Sequence, residues 1–223
     1  MAIKAGPRIV TNGLVCDLDP AQVRSYSGSG NTWYDLSSNR FNQALTGIGF
    51  TTDNKGLMNY TSGNSYAALN SAVNVEGPVS ICYWVKYTSV SNIQSLGLTN
   101  GTDAPTSAMQ IGIRTGGLGT VWKYGGATLL TFTNPVANTW YHYGLTLTSN
   151  SMVFYINGSI NNSGTVVSQS GGAISLNIGD YRNNGTGNEK IIGYLGNFQL
   201  YNRALSAQEI LQNYNATKAR YGY

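Results

Sequence analysis

Ionisable side chains are scarce in this sequence. Charged residues fill 10% of its 223 positions, against roughly a quarter in an ordinary globular chain. Glutamate occurs only at Glu76, Glu189 and Glu209, and His142 is the one histidine. A single histidine excludes a zinc site built from several, and it leaves a Ser-His-Asp arrangement without a supporting motif. In the run WYHYGL its ring reads as packed or hydrogen-bonded rather than catalytic. Glycoside hydrolysis needs two carboxylates facing each other across the scissile bond, and no glutamate lies in an E-x-D-x-x-E strand. No catalytic residue is predicted, and the chain is read as a non-enzyme.

Other absences narrow the partners. The 13 basic residues give a formal net charge of +4, but they are scattered singly, with no cluster to neutralise consecutive phosphates, so nucleic acid is excluded as a partner. No apolar run approaches the roughly 18 residues of a membrane span. The opening MAIKAGPRIVTNGLVCDLDP lacks the apolar core of a signal peptide, and a soluble chain without membrane insertion or export is expected. Only two cysteines occur, Cys16 and Cys82. Each sits in an apolar run and reads as a buried thiol, with pairing left open.

What is present is the material of short strands. Glycine occurs 28 times and tyrosine 16 times among long runs of Ser, Thr and Asn, a mix that suits strands joined by tight turns. With 11% aromatic and 41% hydrophobic residues, the chain has enough apolar surface to fold. Its length suits one all-β domain. In VSICYWVKY, alternation places Val79, Ile81, Tyr83 and Val85 on one face and Ser80, Cys82, Trp84 and Lys86 on the other. Both sets are bulky, which predicts a central strand covered on both sides. In MVFYINGS, Asn157-Gly158 is the signature of a two-residue hairpin turn. One helix is expected, over 207–218: Ser206 caps it, Glu209 reaches back to the cap, and Leu205 clasps Ile210.

Four pieces in order, VSICYWVKYTS, NTWYHYGLTLTSNSMVFYINGS, LNIGDYR and GNFQLYNRALSAQEI, resemble the laminin-G-like, concanavalin-A-like jelly-roll superfamily over about 13–215. The resemblance implies an all-β sandwich of two antiparallel sheets with a short C-terminal helix: an arm over 1–12, a sandwich over 13–203, and a helix and tail over 204–223. Trp140 and Tyr155 are expected to fill the gap between the sheets, and Gly196 to let the last strand bend or be closely approached. The two ends, NGLVCDLDPAQVRSYSGSGNTWYDLSSNRFN and EILQNYNATKARYGY, are similar to those of jelly-roll structural proteins of tailed bacteriophage particles. Many relatives carry an acidic F-D-G-x-D-D-Y segment where this chain reads MNYTSGNSYAALN, so the carboxylates of that loop are missing here.

Two further groups of residues are candidates for binding. Trp122, Tyr124 and Tyr181 lie near turn residues, and with Arg182 and Asn183 they offer an aromatic face flanked by hydrogen-bond donors, a chemistry suited to a pyranose. Asp180 and Glu189 bracket a loop whose carbonyls could complete a calcium shell. Two acids, one beside Lys190, favour a solvated loop, and no cofactor is expected. Lys4, Arg8, Lys218, Arg220 and Tyr223, in the two flanks, are candidates for contacts with a neighbouring subunit. The combined expectation is a virion structural protein on the outside of a capsid or tail, touching other virion proteins, copies of itself or a host glycan. The alternative is a stand-alone carbohydrate-binding module or lectin.

Overall fold

Runs of β-branched and aromatic residues closed by Gly, Asn or Ser form the strands of a computed structural model that describes residues 7–60, 65–69, 73–74, 78–91, 94–99, 109–114, 116–123, 128–165, 173–179 and 190–223. Among the described residues they assemble into two antiparallel sheets. The first has the order β15 (Ser159–Thr165), β14 (Ser151–Ile156), β13 (Trp140–Leu147), β8 (Val79–Tyr87), β17 (Gly193–Tyr201), β5 (Leu57–Tyr60) and β4 (Gly49–Thr51), and β1 (Leu14–Leu18) also pairs with β17. The second runs β12 (Thr128–Phe132), β11 (Leu118–Lys123), β10 (Met109–Arg114), β9 (Gln94–Thr99), β16 (Ala173–Ile178), β6 (Tyr66–Leu69), β3 (Gln43–Thr46) and β2 (Thr32–Trp33), with β7 (Val73–Asn74) on β16. Strands distant in sequence lie side by side, as in a jelly-roll sandwich.

The core lies between the sheets. From the first sheet come Val79, Ile81, Tyr83, Val85 and Tyr87 of β8, with Tyr143, Leu145 and Phe154 beside them. From the second come Met109, Ile111, Ile113, Val121, Leu130 and Phe132. The rings of Phe132 and Phe154 stack across the gap with centroids 4.1 Å apart. The predicted alternation of β8 holds on both faces, and all of its residues except Lys86 are buried. At one margin the edge strand β15 is tied to the other sheet by amides. Asn161 Oδ1 accepts from the Thr133 amide at 3.0 Å, and Asn162 Nδ2 donates to the Thr131 carbonyl at 2.7 Å.

Both residues expected to fill the gap lie elsewhere. Trp140 and Tyr155 are buried, but on the outer face of the first sheet. The phase of β13 decides the first: Tyr143, Leu145 and Leu147 point inward, so Trp140 points out. A register shift between Phe154 and Tyr155 accompanies the second. The hairpin turn is as expected, with Asn157 at φ 52° and Gly158 at φ 81°, the paired positive angles that a right-twisted hairpin requires.

Helix α1 (Ala207–Thr217) carries the expected reciprocal cap between Ser206 and Glu209. A 3-10 turn, Lys218–Arg220, continues from it. Leu205 and Ile210 are both buried in one apolar cluster, the staple predicted from the sequence. No described helix is long and apolar enough to cross a membrane.

Candidate functional site

Each sheet has an outer face, and the two are finished differently. On the first sheet, Cys82, Trp84, His142 and Gly144 would face water if the chain stopped at β17. Instead α1 lies across them. Gly144 is what allows the close approach, since a methyl group there would stand 3.0 Å from an Ile210 methyl. Asn213, buried on the helix underside, donates to the Tyr201 hydroxyl at 3.0 Å and to Cys82 Sγ at 3.6 Å, and its carbonyl accepts from the Val10 amide at 2.8 Å. One side chain thereby joins the N-terminal arm, the helix and the sheet.

The tail completes the cover with rings. Tyr221 stacks on Trp84 at 4.1 Å, and Tyr214 and Tyr223 each stand 5.7 Å from it. Trp84 Nε1 donates to the Thr217 hydroxyl at 2.8 Å. Gly196 sits where β17 slips register against β8, and any side chain there would overlap the Tyr221 hydroxyl. Asn197, released from the ladder, donates its amide to that hydroxyl at 3.2 Å and accepts from it through Oδ1 at 3.1 Å. The close approach expected at Gly196 is therefore made by a tail side chain.

The outer face of the second sheet is built from small and polar residues. Because Met109, Ile111 and Ile113 of β10 point into the core, Gln110, Gly112 and Arg114 occupy the opposite face. Register sets Thr120 and Leu118 of β11 beside Gly112 and Arg114, and Gly97 and Trp122 on either side of Gln110. Arg114 Nη1 reaches the Thr128 hydroxyl at 3.5 Å, and Leu118 is 39% exposed. Gln110 is 1% exposed, and its Nε2 donor has no partner among the described residues. An amide held this way is costly to bury unless something accepts from it.

Asp17, Asp19, Asp35 and Glu209 are committed to the fold, whereas Asp53 is exposed. Asp35 Oδ1 accepts from the amides of Asp17 and Ser37 at 2.8 Å, while Oδ2 accepts from the Ser37 hydroxyl at 2.6 Å and the Phe41 amide at 2.9 Å. Asp19 Oδ2 accepts from Arg220 Nη1 at 2.9 Å. Burial pushes the Asp17 carboxyl up to about 7, against a hydrogen bond from Gln199 that lowers it. Glu209 is held down to about 2, chiefly by the forked hydrogen bonds from Arg203 and further by the Ser206 amide. No group of three His, Cys, Asp or Glu able to hold a metal occurs among the described residues.

Of the residues singled out from the sequence, Trp122 lies on β11 opposite Gln110. Tyr124, Tyr181, Arg182, Asn183, Asp180, Glu189 and Lys4 lie outside the described residues. Arg8 is exposed, and its carbonyl accepts from Gln212 at 2.8 Å. Lys218 stands 5.3 Å above the Tyr214 ring, Arg220 pairs with Asp19, and the Tyr223 hydroxyl donates to the Trp140 carbonyl. These three flank residues thus make contacts within the chain. Cys16 and Cys82 are free and buried. Gln110, Arg203 and Asn213 were not anticipated. Arg203 has a visible signal, since it stands six residues before Glu209 in NRALSAQE; Gln110 and Asn213 have none without the register.

Two sheets with a capped terminal helix and this topology define a concanavalin-A-like sandwich. The family model described as the concanavalin A-like lectin/glucanases superfamily, of laminin G type, matches residues 61–211, and the chain belongs to that family. No curated protein matches it. Among solved structures it is similar to a Trypanosoma rangeli sialidase in complex with sialic acid, at TM-score 0.70 and 16% identity over 99% of this chain. The chain spans 37% of that sialidase. It is also similar to domain 4 of AbnA, a GH43 extracellular arabinanase from Geobacillus stearothermophilus in complex with arabinotriose, at TM-score 0.67 and 16% identity over 90% of this chain and 97% of that one. A third likeness is the binding domain of Paraclostridial Mosquitocidal Protein 1, at TM-score 0.63 and 16% identity over 92% of this chain and 52% of that one.

Proposed function

We propose that the chain is a non-catalytic attachment domain that holds a glycan on the outer face of its second sheet, carried on the exterior of a tailed bacteriophage particle. The observation that carries the binding part is the contrast of the two outer faces. One is closed by the chain's own helix and tail, and the other, along β10 and β11, carries Gln110, Gly112 and Thr120, all buried, with half-buried Arg114 beside them and the Gln110 amide donor unmet. Glycine gaps beside amide, hydroxyl and guanidinium groups suit a flat sugar ring that stacks and accepts hydrogen bonds. The reading as an attachment domain without turnover is supported by the commitment of Asp35, Asp19 and Glu209 to internal partners. The phage setting is supported by the similarity of the two chain ends to virion structural proteins. Such a protein would be assembled in the host cytoplasm and displayed at the virion surface beside other virion proteins and copies of itself.

A stand-alone carbohydrate-binding module is the second reading. It is favoured by the likeness over nearly the full length of the arabinanase domain bound to arabinotriose. Binding of the purified chain to a panel of arabino-oligosaccharides and sialosides, compared with Gln110→Leu and Trp122→Ala, tests the shared element. Saturable binding weakened at least tenfold by either variant is expected; binding untouched by both sinks the proposed face. Peptide mass mapping of purified phage particles separates the two settings.

A further inference from the structure

His142 lies on the closed face and has the wrong chemistry for a permanent seal. The ring is fully buried, and neither nitrogen has a hydrogen-bond partner among the described residues. The Trp84 ring stands 5.3 Å from it and the Tyr214 ring 5.8 Å. Its only polar ties are through the backbone, where the His142 amide donates to Asn157 Oδ1 at 2.9 Å and its carbonyl accepts from the Asn157 amide at 2.8 Å.

The elements packed around it supply no counter-charge. On β8 the titratable groups are Cys82, Tyr83, Tyr87 and Lys86, and Lys86 stands over the Trp140 and Tyr194 rings at 5.2 and 4.8 Å. Neighbouring β14 brings Tyr155. On α1 they are Tyr214 and Glu209, the latter forked to Arg203. Beyond the helix come Lys218 over the Tyr214 ring, Arg220 on Asp19, and Tyr221 and Tyr223. A proton placed on His142 would therefore be buried among aromatic rings with nothing to accept from it, and the cheapest relief is to lift whatever covers the ring.

We propose that residues 207–223 form an acid-released strap, in which protonation of His142 detaches helix α1 and the tail from the first sheet while the sandwich beneath remains folded. Desolvation pushes the ring down to about 3 in the closed state. A water-exposed ring titrates near 6.5. The folded value is the depressed one, so closure is favoured most above pH 6.5 and loses ground as the pH falls towards 3. Between pH 7 and pH 5 the open fraction rises about 25-fold for that pair of values.

The two cysteines test this directly, because they sit on different sides of the first sheet. Cys82 lies beneath the strap, against Asn213, and Cys16 lies in the core between the sheets. The experiment is modification of the whole chain by 4,4'-dithiodipyridine, which reacts with thiols at acid pH, with rates normalised to a small thiol and each site resolved by peptide mass. Acceleration of about 25-fold at Cys82 between pH 7 and pH 5 is expected, with Cys16 still slow. His142→Gln should flatten the response. Joint labelling of both cysteines overturns the proposal, as does acid acceleration of the same size in His142→Gln, or none in the parent chain. Should His142→Gln label Cys16 even at pH 7, the ring proton shifts of the parent chain decide: a closed-state ring neutral to below pH 4 supports the strap, and a midpoint near 6.5 refutes it.

Discussion

The outer face of the first sheet and the outer face of the second teach opposite lessons about where a β-sandwich keeps its function. The first is aromatic and heavily built, with Trp84, Trp140, Tyr155 and Tyr201 all buried, and it is spent on holding the chain's own terminus. The second, along β10 and β11, has glycine, threonine and glutamine where the first has rings. A face that must be closed permanently is served by large apolar area, roughly 25 cal/mol for each Å² removed from water. The proposed ligand face instead rests on polar groups such as Gln110 and Thr120, both buried.

That contrast is broken most severely at Trp84. Its ring meets His142, Tyr214, Tyr221 and Tyr223 and donates to Thr217, so Trp84→Ala removes the common anchor of helix and tail. A loss of about 3–5 kcal/mol is expected in denaturant titrations, with amide exchange rising over α1 before it rises over β8 and β13. A loss below about 1 kcal/mol, within the range of an ordinary surface change, would mean the helix contributes little to the sandwich.

The cap is the next weaker test. Ser206→Ala removes the acceptor for the Glu209 amide and should cost about 1 kcal/mol. Glu209 adds a pH dependence of definite sign. Its folded value, about 2, lies below its ordinary value of 4.5, so its contribution is complete above pH 4.5 and is lost as the pH falls towards 2. Glu209→Gln should remove that acid limb, below pH 4.5, from the stability profile. A parent chain and Glu209→Gln variant with identical profiles below pH 4.5 would contradict the forked pairing with Arg203.

Much of the first sheet was legible in the sequence because its signals are local. Alternation in VSICYWVKY, the Asn157-Gly158 turn and the Ser206, Glu209, Leu205 and Ile210 arrangement each depend on residues a few positions apart. What was not legible depends on register between distant strands. The alternation in WYHYGLTL sets Tyr143, Leu145 and Leu147 against Trp140, His142 and Thr146, but the size of the Trp140 ring favours burial on either face, and only the covering tail shows that an outward ring is buried. Tyr221 entering the β17 slip, and Asn213 joining Val10 to Tyr201, are meetings of chain ends. The proposed binding face was legible only as a composition. Trp122 was singled out, whereas Gln110 beside it became visible through the pairing of β10 with β11.

The gentlest test lies on that second face and separates binding from folding. At a buried position that already lacks a partner, replacing an amide with an apolar group of similar shape removes a desolvation penalty rather than a bond. Gln110→Leu should therefore leave stability unchanged or raise it by up to about 1 kcal/mol, while weakening glycan retention. The reverse pattern, a destabilised chain that binds as before, would place Gln110 among the structural residues and return the second face to the same category as the first. A stabilised chain that no longer binds would show that this sheet carries an unmet donor for the ligand's sake, at a position where packing alone prefers leucine.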